Sequence, residues 1–140
     1  MAEEPLAAHS IRFLEMAFRT DRQRTLSRSS GRGFRKGACG DSVAMELRIR
    51  EDRVQEVAFE VNGCLNTNAC ANAVAELAEG RTVEKAWRIT ADDVAAFLRS
   101  LPPDHIHCAE LVVGAFYRAL ADHGRRRGSE WRDVYRKRTY

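Results

Sequence analysis

The sequence has 140 residues, of which 44% are hydrophobic and 31% are charged. This length and composition are typical of one globular domain and exclude a disordered chain. No apolar run approaches the roughly 20 residues that span a bilayer, so we expect no transmembrane segment. The first residues are acidic and lack an apolar run, which is not typical of a secretory signal. We therefore predict a cytoplasmic protein, whose four cysteines are expected to be thiols or metal ligands rather than disulfides.

The net charge of +3 conceals an uneven distribution of charge along the chain. Residues 9–36 carry a net charge of +6 and residues 125–140 carry +5, whereas residues 37–124 carry −6. Basic arms of this kind bind nucleic acid or an acidic protein surface, and they also occur as solvated termini. A basic nucleic-acid-binding module is thus one alternative. It is disfavoured because aromatic residues are few and no recognised nucleic-acid motif is present.

The N-terminal part of the chain is predicted to contain one helix and one loop. Apolar side chains at helical spacing predict an amphipathic helix over residues 4–19. From Thr20 to Lys36 the only large apolar side chains are Leu26 and Phe34, which lie among arginines, serines and glycines. We therefore interpret residues 20–36 as a loop.

Two strands are predicted to follow and to form a hairpin. Apolar residues alternate with polar or small ones from Val43 to Ile49, and the alternation returns from Val57 to Val61. This alternation predicts strands with one buried face. The charged residues 51–53 separate the two runs, so the pattern indicates an antiparallel β-hairpin with its turn near Asp52.

The second half of the chain is predicted to be helical. An apolar stripe extends from Ala69 to Leu77, and Gly80 is a suitable residue to follow the end of that helix. Thr82 and Thr90 are suitable N-caps for two short helices.

The longest helix is predicted to begin near Ile106 and to close at Gly124, before a last short helix that holds Trp131, Val134 and Tyr135. Strands early in the chain and helices late in the chain are typical of an α+β domain. We predict a small antiparallel β-sheet with helices packed on one face, with an extra N-terminal helix and a basic C-terminal helix.

Three of the four cysteines are expected to meet at one end of the predicted sheet. Cys39 precedes the first strand and Cys64 follows the second, so an antiparallel hairpin returns both to the same end. Cys108 lies in the first turn of the long helix, directly after His107, where the partial positive charge of a helix N-terminus favours the thiolate. Together with Asp41, these side chains suit tetrahedral zinc or an iron–sulfur cluster.

Each cysteine also has a simpler interpretation, as a small apolar side chain in the core. Cys70 lies in the middle of the stripe from Ala69 to Leu77, so we assign it to the core. Spacings of 25 and 44 residues between the other three cysteines are not a metal motif by themselves. A thiol hydrolase that uses Cys108 and His107 is a further alternative, but no third orienting group is recognisable.

Four short motifs, taken in order, resemble those of a known protein family. They are Ala-Cys-Gly-Asp at 38–41, Gly-Cys at 63–64, Gly-Arg-Thr-Val-Glu-Lys-Ala at 80–86, and Leu-Pro-Pro-x-x-Ile-His-Cys-Ala-x-Leu at 101–111. This combination resembles the iron–sulfur cluster assembly scaffold proteins of the NifU N-terminal-domain or IscU type. The resemblance covers about residues 37–123 of a single expected domain 1–140, with residues 1–36 and 124–140 as extensions.

The resemblance implies a non-catalytic scaffold rather than a turnover enzyme. Such proteins receive sulfur from a cysteine desulfurase, hold a labile [2Fe–2S] cluster and pass it to apo-proteins, and without iron they often carry zinc in the same site. By position, Cys39, Cys64 and Cys108 would be cluster ligands, with Cys108 as the sulfur acceptor. Asp41 would keep the site exchangeable, and His107 would be an alternative ligand. The alternative function is that of a divergent paralogue that binds zinc in a structural or regulatory role.

The chain departs from the family pattern after Leu-Pro-Pro. IscU-type members continue with Val-Lys and are read there by a dedicated chaperone, whereas this chain continues with Asp104-His105. Chaperone recognition is therefore not expected. The sequence leaves open whether a cluster bridges two copies in a homodimer. It also leaves open whether the basic arms dock an acidic partner such as the desulfurase.

Overall fold

The computed structural model describes the backbone of residues 10–138 and the side chains of residues 10–128. Within that part of the chain, no helix is long and apolar enough to cross a membrane. The elements, in chain order, are α1 (Ile11–Phe18), β1 (Gly31–Lys36), β2 (Ser42–Arg50), β3 (Arg53–Asn62), α2 (Leu65–Ala78), α3 (Val83–Ala86), α4 (Ala91–Leu98) and α5 (Ile106–Arg138).

The predicted hairpin is confirmed. Strands β2 and β3 pair antiparallel, with Met45 opposite Phe59, and both side chains are buried in the core. The turn consists of Glu51 and Asp52, whose φ angles are 54° and 61°. Positive φ at both central residues is the geometry of a type I′ turn, whose twist matches that of the flanking strands. The alternation of apolar residues therefore correctly locates both strands and their connection.

The prediction of a loop over residues 20–36 is wrong for its second half. Gly31–Lys36 forms a strand that pairs antiparallel with β2, which gives the sheet the order β1-β2-β3. The first two inward positions of β1 are glycines, and a Cβ added to Gly33 would lie closer than 3.0 Å to backbone atoms of α5. Because glycines occupy the buried face, β1 lacks the apolar alternation that reveals a strand.

The first half of the same segment covers the free edge of β3. The backbone N–H of Phe59 donates to the carbonyl of Arg22 at 2.9 Å, and Gln23 forms a parallel bridge with Phe59. The Arg22 side chain is buried, and its guanidinium lies 2.8 Å from carboxylate oxygens of both Glu76 and Glu79. At Phe59 this edge is therefore paired rather than open to other chains.

The helices pack against the sheet as expected for an α+β fold. α5 contacts β1 and β2, α2 contacts β3, and α1 and α4 both contact α2. α2 is buried around most of its circumference because alanines and other small residues let its neighbours approach closely. The predicted N-caps are confirmed: the side chain of Thr82 accepts from the backbone N–H of Lys85, and that of Thr90 accepts from the N–H of Asp93.

Within the described residues, the N-terminal helix spans Ile11–Phe18, whereas a helix over residues 4–19 was predicted. α1 begins at Ile11 and is capped by Ser10, whose Oγ accepts from the backbone N–H of Phe13 at 3.0 Å. The same hydroxyl donates to the carbonyl of Leu98 at 2.7 Å, which attaches α1 to the end of α4. Residues 4–9 of the predicted helix lie outside the described residues.

The prediction that the long helix closes at Gly124 is wrong. α5 continues without interruption to Arg138, so the backbone contains no separate last helix within the described residues. Ion pairs one turn apart support the continuation, since Asp122 lies 3.2 Å from Arg125 and 2.9 Å from Arg126. The side chains assigned to that last helix, Trp131, Val134 and Tyr135, lie outside the described residues.

The described part of the basic stretch, residues 10–36, folds against the acidic centre of the chain instead of extending from it. Several of its arginines form ion pairs with carboxylates within the described residues. These pairs are Arg19 with Asp21 and Glu76, Arg22 with Glu76 and Glu79, Arg24 with Glu56, and Arg32 with Glu46.

Candidate metal centre

The cysteine-bearing segments meet at the end of the sheet opposite the β2–β3 turn. Ser42 at the start of β2 pairs with Asn62 at the end of β3, so the segments that carry Cys39 and Cys64 emerge side by side. Cys39 lies in a tight turn in which the N–H of Gly40 donates to the carbonyl of Gly37 at 3.1 Å. Gly40 has a φ of 96°, a conformation that favours glycine. The turn leaves the Cys39 side chain exposed.

Asp41 is connected to Cys64 through a residue that the sequence interpretation missed. The hydroxyl of Thr67 donates to Oδ2 of Asp41 at 2.9 Å and lies 3.6 Å from Sγ of Cys64. Cys64 is the N-cap of α2, so Thr67 lies three residues later, in the first turn of that helix. A Cβ added to Gly63 would come within 2.7 Å of Oδ2 of Asp41, so the glycine before Cys64 makes room for this carboxylate.

Cys108 enters the same region from the start of α5. Its side chain is buried, and its Sγ lies 3.8 Å from Nδ1 of His105 and 3.6 Å from Nε2 of His107. His105 is half-buried and ends a 3₁₀ turn (Pro103–His105) that leads directly into α5. Side chains three residues apart are neighbours on one face of a helical turn, which explains why His105 reaches Cys108 across the start of α5.

The ligand atoms of Cys64, His105 and Cys108 all lie within 4.8 Å of one another. Cys39 does not belong to a group this tight among the described residues; it lines an open cleft together with His107 and Leu111. Of the side chains singled out from the sequence, the structure thus brings Cys64 and Cys108 together and places His107 beside Cys108. Asp41 is joined to Cys64 by Thr67. His105 is an addition. The sequence could have indicated His105, because it precedes Cys108 by three residues and so lies on the same face of a helical turn.

The two clustered thiols differ in acidity. Burial alone would raise the pKa of Cys64, but the Thr67 hydroxyl and the backbone of Thr67 and Asn66 outweigh burial and lower the pKa. Burial raises the pKa of Cys108 to about 11, and the nearby charges of Cys64 and Asp41 act in the same direction. The net pKa of Cys108 is therefore raised by burial, although the helix N-terminus was expected to favour its thiolate.

The 3₁₀ turn uses one of the N–H donors at the start of α5, because the N–H of Ile106 donates to the carbonyl of Pro103. Cys70 is fully buried, and the pKa of its thiol is raised by burial. This confirms the assignment of Cys70 to the core.

Comparisons with known proteins place the chain in a family. The family model described as NifU-like N terminal domain matches residues 25–130, a range that includes the unexpected strand β1. The chain is 34% identical over 90 residues to the iron-sulfur cluster assembly scaffold protein IscU 1 of Archaeoglobus fulgidus. That alignment covers 64% of this chain and 59% of the relative. It is 42% identical over 93 residues to the bifunctional protein NifU/MnmA of Rubrobacter xylanophilus. That alignment covers 65% of this chain and 19% of the relative.

A solved structure supports the same fold. The N-terminal part of a nitrogen-fixing NifU-like protein from Brucella abortus superposes with a TM-score of 0.69 at 18% identity, over 83% of this chain and 94% of that chain. At this identity the likeness concerns the fold alone. The chain spans only part of the length of the two curated relatives. Since the family model matches residues 25–130, most of the chain, the protein belongs to the NifU-like N-terminal domain family.

Proposed function

We propose that this chain is a scaffold on which iron–sulfur clusters are assembled and from which they are transferred to apo-proteins. One observation carries the proposal: thiols from three separate segments converge on one end of the sheet, beside a carboxylate that the fold holds in place. Thiolates are the ligands that iron–sulfur clusters require. The relatives named as cluster assembly scaffolds support the same function.

In this proposal Cys39, Cys64 and Cys108 hold a labile [2Fe–2S] cluster. The three sulfurs come from a tight turn, a helix N-cap and the first turn of α5, so each is supplied by a different segment of the chain. Asp41 is a hard oxygen ligand beside soft thiolates, and it competes for iron without holding it strongly. His107 is an alternative ligand next to Cys108.

Sulfur arrives from a cysteine desulfurase as a persulfide. The Cys108 thiolate attacks the outer sulfur of that persulfide, a new S–S bond forms on Cys108, and the desulfurase cysteine leaves as a thiolate. Reduction of the transferred sulfur to sulfide takes two electrons from an external reductant. The chain supplies positions for sulfur and iron and undergoes no net change, which is the behaviour of a carrier rather than of a turnover enzyme.

The test is anaerobic reconstitution of the full chain with ferrous iron, cysteine and a cysteine desulfurase, followed by visible absorption and acid-labile sulfide. We expect Cys39→Ala, Cys64→Ala and Cys108→Ala each to lose most of the cluster. Cys70→Ala is the matched control, because it removes a thiol that lies in the core. Equal cluster content in all of these proteins would contradict the proposal, and far-UV circular dichroism shows whether each variant is folded.

A further inference from the structure

The hydroxyl of Thr67 connects a carboxylate and a thiol of the candidate site. The Thr67 side chain is fully buried, and its Oγ1 lies 2.9 Å from Oδ2 of Asp41 and 3.6 Å from Sγ of Cys64. A threonine hydroxyl has one proton to donate, and an ionised carboxylate can only accept. The proton of Thr67 therefore goes to Asp41, and an oxygen lone pair remains for the thiol of Cys64. Hydrogen bonds to ionised acceptors are about twice as strong as those between neutral groups.

Asp41 depends on this contact for its orientation. Within the part of the chain whose side chains are described, Thr67 is the only hydrogen-bond partner of the Asp41 carboxylate. Gly63 lies against the same oxygen, since a Cβ added there would be 2.7 Å from Oδ2. Oδ2 is thus enclosed, and Oδ1 is the oxygen left to bind a metal ion. The torsion that turns a carboxylate is broad, so Asp41 without Thr67 would sample many orientations.

A fixed carboxylate matters when iron exchanges its ligands. In the proposed function, on which this inference rests, Asp41 replaces a thiolate on iron as the cluster leaves. An iron–sulfur bond breaks, an iron–oxygen bond forms, each ligand keeps its electron pair, and no redox change takes place. A ligand that is already held in a productive orientation loses less conformational entropy in this step.

We propose that Thr67 is a positioning residue that orients Asp41 for ligand exchange during cluster transfer. Thr67 does not ligate iron itself. It donates to Oδ2 from the first turn of α2, the turn that begins at Cys64, and so keeps the carboxylate next to a sulfur that it must replace. Thr67 therefore controls the rate of cluster release through Asp41 and has no separate effect of its own.

The test is a double-mutant cycle on transfer of the reconstituted cluster to an apo [2Fe–2S] ferredoxin, followed by circular dichroism in the visible range. Thr67→Val keeps the shape of the side chain and removes the hydroxyl, so transfer should slow about tenfold, as in Asp41→Ala. Thr67→Ser keeps the hydroxyl and should transfer within about twofold of the unaltered rate. The double variant Asp41→Ala/Thr67→Val should be no slower than Asp41→Ala alone, because both changes remove the same contact. Independent effects would instead multiply to about a hundredfold.

The matched control is Thr90→Val, which removes another threonine hydroxyl, one that accepts from the backbone N–H of Asp93 at the start of α4. It should lower the midpoint of urea unfolding and leave the transfer rate unchanged, which separates loss of stability from loss of positioning. Transfer at the unaltered rate in Thr67→Val, or multiplied effects in the double variant, would overturn the inference.

A second measurement needs neither a cluster nor a folded Thr67 variant. In the metal-free protein the hydroxyl proton of Thr67 should give a downfield NMR resonance that moves upfield in Asp41→Ala, and an unmoved resonance would overturn the inference. Protein that shows this shift but accumulates no cluster would contradict the proposed function alone. Protein that transfers a cluster equally fast with and without the Thr67 hydroxyl would contradict the positioning role alone.

Discussion

Replacement of Gly33 by alanine should destabilise the protein because it pushes β1 away from α5. The added Cβ would lie less than 3.0 Å from backbone atoms of Ala115 and Ala119, and 2.8 Å from Cβ of Arg118, whereas ordinary contacts are 3.4–4 Å. The strand or the helix must therefore move by about 1 Å. Overpacking of this kind costs about 1–3 kcal/mol. We expect the upper end of that range, since helix backbone atoms cannot rotate out of the way.

Gly124→Ala is the matched control for this substitution. A Cβ at Gly124 would have no heavy atom within 4 Å, and the residue lies in the interior of α5. Alanine there should raise the free energy of unfolding by about 0.5–1 kcal/mol, because glycine loses more backbone entropy in a helix. Both variants are measured in the full chain by urea unfolding followed by circular dichroism, with slopes compared to verify cooperative unfolding.

The opposite signs make the comparison decisive. A Gly33→Ala protein as stable as the unaltered one would show that β1 does not pack closely on α5. A loss of stability in Gly124→Ala would contradict the continuous helix through that position.

Three further predictions concern α2 and the candidate site. Asn72→Ala should lower the free energy of unfolding by about 1–3 kcal/mol, because the buried Asn72 amide donates to the carbonyl of Arg19 at 3.0 Å; unchanged urea unfolding would refute this. Iodoacetamide should label Cys64 at lower pH than Cys108, because the pKa of Cys64 is lowered whereas that of Cys108 is raised to about 11. Mass spectrometry measures the labelled fraction of each cysteine against pH, and identical profiles for the two would contradict these pKa directions. Asp41→Ala should slow cluster transfer to an acceptor and leave a more persistent cluster, and transfer at the ordinary rate would remove the role given to that carboxylate.

The sequence allowed the hairpin to be predicted but not the strand beside it. Val43, Met45 and Leu47 are large apolar residues at every second position of β2, so the buried face is visible in the sequence. In β1 the corresponding face is formed by Gly31 and Gly33, because α5 lies against the strand too closely for side chains. Close packing thus removed the signal on which the prediction of a strand depends.

The candidate site was predictable to the extent that it follows from chain topology. A hairpin returns Cys39 and Cys64 to one end whatever their separation in sequence. The contributions of Thr67 and His105 depend instead on local geometry, since each lies three residues from a cysteine within one turn. The acidity of Cys108 depends on burial, which the position of the residue in its helix does not reveal.

The length of α5 separates the chemistry of this protein from its C-terminal positive charge. At 1.5 Å per residue, Arg127 lies about 28 Å along the helix from Cys108. It lies instead 3.9 Å from Asp52 in the β2–β3 turn, at the far end of the sheet. The separation of about 28 Å between Arg127 and Cys108 exceeds three screening lengths of about 8 Å at physiological salt. The charge of Arg127 therefore has almost no influence on the thiolate of Cys108. A partner that engages both ends must span about 28 Å, and a smaller acidic partner bound at the arginines leaves the cysteines accessible.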